Sequence, residues 1–234
     1  MQRLHLIVGL GIGAVLACQA PVGAAAQAAN QVLTYNVEHP TYGNIGTYSN
    51  TVSQNGDAVH VRTDLHIAVK VVGIALFRQD ATRDEEWQNQ RLVGFQSETD
   101  DNGTKIAVTG KADTTGFVIR STSNGTLTAP PQVHPSNPWA PFVLETDTMM
   151  STKTGRVSAV SVKDAGEITL KLDGRTTHVH QWFVDDDKRQ VVWIDDRGVV
   201  VAFQTQEDGK AINFVLKNQT ASAQPAPALA NANN

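Results

Sequence analysis

Metal chemistry, if the chain has any, would begin at His178-Val179-His180. Residues i and i+2 of a strand face the same side, so both imidazoles could approach one ion. A catalytic zinc needs a third protein ligand. Asp185 lies within reach along the chain, and His60 and His66 share a parity with each other. No third ligand stands at a fixed short spacing. The simpler reading is therefore a water-facing strand that happens to carry two histidines, and the sequence predicts no bound metal and no cofactor. Carboxylates cluster at Asp84-Glu85-Glu86, Asp100-Asp101, Asp185-Asp186-Asp187 and Asp195-Asp196. Each cluster sits at or beside a predicted turn, where acidic residues are ordinary. There is no G-x-S-x-G nucleophile elbow and no Gly-rich phosphate loop. These absences lean against an enzyme.

Apolar recognition has better raw material. Trp87, Trp139, Phe142, Met149, Met150, Trp182 and Trp193 are large groups, several of them near loops. Trp139, Phe142, Met149 and Met150 gather around one irregular stretch. With Trp182 they are the candidate ligand-binding residues for an apolar small molecule or lipid. The same side chains would equally serve as plain core. Charge argues against nucleic acid as a partner: 19 basic against 23 acidic residues give −4, with no basic stripe and only 6% aromatic residues.

The elements that must hold these groups are strands. Val59, Val61, Leu65, Ile67, Val69 and Val71 fall on one parity, with His60, Arg62, Asp64, His66 and Lys70 on the other. This predicts a long strand over 58–77 with one dry and one wet face, bent at Gly73. Pairs such as Asn55-Gly56, Asn102-Gly103, Asn124-Gly125, Asp173-Gly174 and Asp208-Gly209 punctuate the chain as hairpin turns. Strands are expected near 32–38, 45–54, 58–77, 85–98, 104–111, 116–122, 156–163, 167–172, 176–184, 190–195, 199–206 and 211–217. Residues 129–142 interrupt them with five prolines, Pro130, Pro131, Pro135, Pro138 and Pro141. Proline removes ladder donors, so this is a crossover, followed by a short helix or turn over 142–152. The predicted fold is all-β: an antiparallel, strongly curved sheet or half-open β-barrel with a proline-rich crossover loop and at most one short helix.

The ends of the chain read differently. Arg3 and His5 precede the apolar run 6–17, which is too short to span a bilayer comfortably. Ala24-x-Ala26 and Ala26-x-Ala28 then offer small-residue cleavage sites. Residues 1–28 are expected to be a signal peptide, 29–217 a single β domain and 218–234 a disordered tail. The protein is then periplasmic or secreted, with no transmembrane segment in the mature chain. The alternative is a lipoprotein anchored at Cys18, because Val15-Leu16-Ala17-Cys18 approximates a lipobox. The single cysteine excludes an intrachain disulfide framework.

Several motifs resemble those of bacterial exported families of unknown function. They are Thr34-Tyr35-Asn36-Val37 with Gly43-Asn44-Ile45-Gly46, Arg91-Leu92-Val93, Asp101-Asn102-Gly103, Pro135-Ser136-Asn137-Pro138-Trp139, Thr152-Lys153-Thr154-Gly155, and Val192-Trp193-Ile194-Asp195 before Val199-Val200-Val201. The resemblance spans most of 32–217 and implies a half-barrel similar in shape to periplasmic lipoprotein carriers of the LolA/LolB kind. It brings no catalytic residue. It implies a non-enzymatic protein that binds or carries an apolar ligand. The alternatives are an envelope structural or assembly factor with no ligand, and a metal-dependent enzyme using His178 and His180.

Overall fold

The computed structural model describes residues 29–172, 174–185, 189–207 and 209–223. Residues 1–28, expected to be a signal peptide, and Cys18 among them, lie outside the described residues. The chain first runs as a meander of eight strands. These are β1 (Ala29–His39), β2 (Gly43–Asn55), β3 (Ala58–Val71), β4 (Ile74–Gln88), β5 (Arg91–Asp101), β6 (Thr104–Ala112), β7 (Phe117–Ser121) and β8 (Gly125–Ala129). The crossover follows, with β9 (His134–Pro135), a single 3-10 turn (Pro141–Leu144), β10 (Thr148–Met150) and β11 (Val157–Ala159). A second meander closes the chain with β12 (Ser161–Leu172), β13 (Arg175–Asp185), β14 (Gln190–Asp195), β15 (Val200–Glu207) and β16 (Lys210–Ala223). No α-helix occurs among the described residues.

The two meanders are fused into one 13-stranded antiparallel sheet in the order β12-β13-β14-β15-β16-β1-β2-β3-β4-β5-β6-β7-β8. Its central joint is β1 against β16, from Ala29↔Ala223 to Glu38↔Asn213. A sheet this wide curls, because strand twist accumulates. The curl is visible in the packing. Leu65, Ile67, Val69 and Ala81 of β3 and β4 share one apolar cluster with Val179 and Val184 of β13, far across the sheet order. The sheet remains open, with β12 and β8 as its edges. One rim carries the β1–β2, β3–β4 and β5–β6 turns and the end of β13; the opposite rim carries the β2–β3 and β4–β5 turns.

Several expected boundaries move. The single strand predicted over 58–77 is a hairpin, with Val72 and Gly73 as its turn residues at φ 49° and 80°. Period-two alternation survives a two-residue turn, so parity alone could not reveal it. Likewise 85–98 is broken by a turn at Asn89-Gln90, both at positive φ. The segment 167–172 continues from Ser161 through a bulge at Ala165. The tail expected to be disordered from 218 does not begin there, since β16 continues to Ala223 paired with β1. Residues 224–234 lie outside the described residues.

Two clusters fill the concave side. One joins β1–β4 with β13–β16 around Tyr35, Tyr48, Phe203 and Phe214. Phe203 and Phe214 stack at 4.3 Å, and both tyrosine rings meet Phe203 edge-on. The other joins β2–β8 to the crossover through Trp87, Phe95, Phe117, Val133, Trp139, Val143 and Met150. Gly110 is required there because a Cβ would come within 2.3 Å of the Phe117 ring.

Candidate functional site

Three cross-strand rows on the inner face of β2–β5 can be read from the register. Tyr48, Leu65, Ala81 and Thr99 make the first; Asn50, Thr63, Arg83 and Ser97 the second; Val52, Val61, Glu85 and Phe95 the third. The middle row is polar throughout, and Glu85 and Tyr48 flank it. A polar band therefore crosses an otherwise apolar surface, and the crossover lies on top of it.

Asn137 is the part of the crossover that meets this band. Its side chain is 1% exposed. Its Oδ1 accepts from the Tyr48 hydroxyl at 2.5 Å and from Asn50 Nδ2 at 3.3 Å. Its Nδ2 donates to Glu85 Oε1 at 2.7 Å and Thr63 Oγ1 at 3.2 Å. Glu85 is fully buried and accepts two more bonds on Oε2, from the indole N–H groups of Trp87 at 2.9 Å and Trp139 at 3.1 Å. The two tryptophans come from different segments, one from the sheet and one from the crossover, and meet edge-to-face at 6.1 Å. Phe142 and His134 close the aromatic cluster around Trp87.

Burial pushes the Glu85 carboxyl up to about 7, against the opposing pull of the donors from Asn137, Trp87 and Trp139 and of the Arg83 charge. Burial likewise pushes the Tyr48 phenol up to about 12 and raises Tyr35 further. The Arg83 side chain is buried, but its Nε has no hydrogen-bond partner among the described residues, nor do Ser97 Oγ and Thr99 Oγ1. The surplus of unmatched donors lies on β4 and β5, just outside the Asn137 hub.

Glu85 accepts from Asn137, Trp87 and Trp139, and the carboxyl joins sheet to crossover. What this arrangement does chemically is clamp. Beside it, a cleft of about 310 Å³ opens between the crossover and the β1/β16 joint, lined by Gln31, Leu33, Trp139, Ala140, Val199 and Gln219 among others. Trp139 thus contributes its N–H to the clamp and part of its surface to the cleft.

The residues singled out for binding fall in two places. Trp139, Met149 and Met150 are buried in the clusters beneath the crossover, and Phe142 is half-buried against Trp87. The helix or turn expected over 142–152 is the 3-10 turn Pro141–Leu144 followed by β10. Trp182 is not among them; it lies on β13, partly buried and stacked on His180 at 5.3 Å. His180 pairs with Asp164 of β12, and Asp185 pairs with Lys163. His178 only approaches Thr169, at 3.5 Å. His60 and His66 lie on the outer face, held by Asp84 at 3.1 Å and Asp80 at 2.5 Å. Among the described residues, no three His, Cys, Asp or Glu side chains come together in a way that would hold a metal ion.

Sequence reasoning missed Glu85, Asn137, Asn50, Thr63 and Tyr48. In the sequence Glu85 reads as a turn acid, because a strand over 85–98 would start there. With β4 beginning at Ile74, the inward parity reads Ala81, Arg83, Glu85, Trp87, and two charges at core positions would have marked the site.

Residues 41–217 match the family described as Domain of unknown function (DUF6134). The chain belongs to this family. Its fold is similar to that of a solved protein titled a beta-barrel-like protein of Domain of Unknown Function DUF1849 from Brucella abortus. That match has a TM-score of 0.60 at 9% identity, over 82% of this chain and 97% of that one. At that identity the likeness concerns the fold alone. No curated protein matches the chain. No helix among the described residues is long and apolar enough to cross a membrane.

Proposed function

We propose that the chain is an exported, non-enzymatic structural or assembly factor of the bacterial cell envelope, whose barrel interior is filled by its own crossover. The observation that carries this reading is the clamp. Asn137 and Trp139 fix the crossover to Glu85, and Val143, Leu144, Met149 and Met150 occupy the concave side where an acyl chain would lie. A carrier must vacate that space, which would strip the buried Glu85 carboxyl of its bonds from Asn137 and Trp139 and leave it only the Trp87 indole, at high cost. Export is supported by the apolar run and the A-x-A sites before Ala29.

The cleft beside Trp139 favours a second reading, a binding protein for a small apolar or amphiphilic ligand. At about 310 Å³ it stands at the lower limit for small-molecule sites. Native mass spectrometry of protein purified from its own host separates the two. The bare polypeptide is expected. A small adduct lost in Trp139→Ala would establish the second reading. A diacyl lipid adduct would restore the carrier and overturn the filled interior. N-terminal sequencing checks export: a start between Gln27 and Ala29 is expected, and a lipidated Cys18 would make the protein an anchored one.

A further inference from the structure

The β3–β4 hairpin runs on past its last rungs with both neighbours. Ile67 is the last residue of β3 paired with β2, and Gln79 is the first residue of β4 paired with β5. Between them, Ala68–Val71 and Ile74–Phe77 form a two-stranded ribbon, with Arg78 at its base bonded to Asn102 of the β5–β6 turn through both its N–H and its C=O. Four residues at about 3.3 Å each carry its tip roughly 13 Å past Ile67, its last rung with β2, while the β1–β2 hairpin continues past the same rung to His39↔Gly43. The base is held, since Val69 is buried and Phe77 packs on the core. Beyond the base the side chains are apolar and bare: Val72 is 96% exposed and Ile74 68%, with Val71 and Leu76 also exposed.

The turn itself is chosen against local preference. Val72 and Gly73 both have positive φ, the geometry that favours Asn-Gly, whereas a β-branched residue there is a genuine outlier. The next hairpin along the same rim makes its turn with Asn102-Gly103 at φ 50° and 87°. The chain therefore has the compatible residue in one turn and a strained apolar one in the projecting turn. Among the described residues the other exposed large apolar side chains, Tyr42 of the β1–β2 turn and Phe183 near the end of β13, belong to the same rim. The ribbon 68–78 contains Lys70 and Arg78 and no acid, in a chain whose net charge is −4. The acid that meets it, Asp80 at its base, is shared by Arg78 and His66.

We propose that this hairpin tip docks on an anionic lipid bilayer, with Val72, Ile74 and Leu76 entering the acyl boundary and Lys70 and Arg78 at the headgroups. Aliphatic side chains at the point of a ribbon, with cations set a few residues back, match the two layers of a membrane interface. The proposal goes beyond the envelope reading and does not depend on the state of the interior.

The test is flotation of the purified protein with vesicles of phosphatidylethanolamine and phosphatidylglycerol, and with vesicles of phosphatidylcholine alone. The protein should float with the anionic vesicles, more weakly with the zwitterionic ones, and less as salt rises. Val72→Asn recreates the turn already used at Asn102-Gly103. It should hold or raise the urea midpoint while reducing flotation. Adding Ile74→Thr and Leu76→Thr should lower partitioning at least about tenfold. No flotation of the wild type, or equal flotation of wild type and triple variant, overturns the proposal. So does a dimer in sedimentation velocity that the triple variant dissolves, because a second copy would then cover the tip.

Discussion

The two halves of the concave side solve the same problem by different means. Around β13–β16 and β1 the strands cover one another, and the packing is mainly apolar: Phe203 stacks on Phe214, and Tyr35 closes in edge-on and sends its hydroxyl to the Val200 carbonyl. Around β2–β8 the cover is a proline-rich segment with almost no ladder of its own, and it is fastened by a buried carboxyl and a buried amide. Prolines lower the entropy lost on ordering the crossover but remove the donors that would pin it to a strand. Side chains supply the missing bonds. A segment that cannot join the sheet is held by a polar hub, and a polar hub responds to pH where an apolar core does not.

The largest break in this comparison is Trp139→Ala. It removes a buried indole from the crossover core together with one donor to Glu85, and should cost about 3–5 kcal/mol in urea unfolding. A loss below ~1 kcal/mol would mean that the crossover does not depend on the hub.

Next comes pH. Folding raises the Glu85 pKa from 4.5 to about 7, so between those values the folded chain holds a proton that the unfolded chain releases. Its contribution to stability is fully present below about 4.5, declines as pH rises, and is gone above about 7, a fall of about 3 kcal/mol. Glu85→Gln should flatten that part of the profile; an unchanged slope relative to wild type would assign it elsewhere.

The apolar half offers the contrast. Phe203→Leu keeps most of the volume and should cost under about 1.5 kcal/mol, with no change in pH slope. A new pH dependence there would erase the distinction between the halves. The smallest effect is expected for His178→Ala with His180→Ala, whose side chains on β13 are solvent-accessible, at under ~1 kcal/mol and insensitive to chelator.

The strands were legible because alternation is a local property, and Val59 through Val71 display it almost without a break. The crossover was legible because five prolines admit little else. The site was not, because it is assembled from separations of 52 to 89 residues: Asn137 to Glu85 and Asn137 to Tyr48. Nothing near Asn137 in the chain announces a partner on β2 or β4. The Val72-Gly73 turn hid for the opposite reason, since an apolar residue stands where turn chemistry would place Asn.

The joint between β1 and β16 governs how the molecule can assemble. Each meander needs only neighbouring hairpins, and these form quickly because their loops are short. The joint between the meanders couples residues as far apart as Ala29 and Ala223, so its closure waits until nearly the whole described chain is available. Until then β1 is an open edge, a template for pairing with any passing strand. A chain that folds after emerging in an extended form meets this hazard at its first strand and resolves it with its last. Shortening β16 should therefore show its effect as aggregation during refolding before it shows as lost equilibrium stability. The same adjacency sets the two ends of the described chain side by side, so that a short linker could join them and new termini be opened at the β7–β8 turn with every ladder intact.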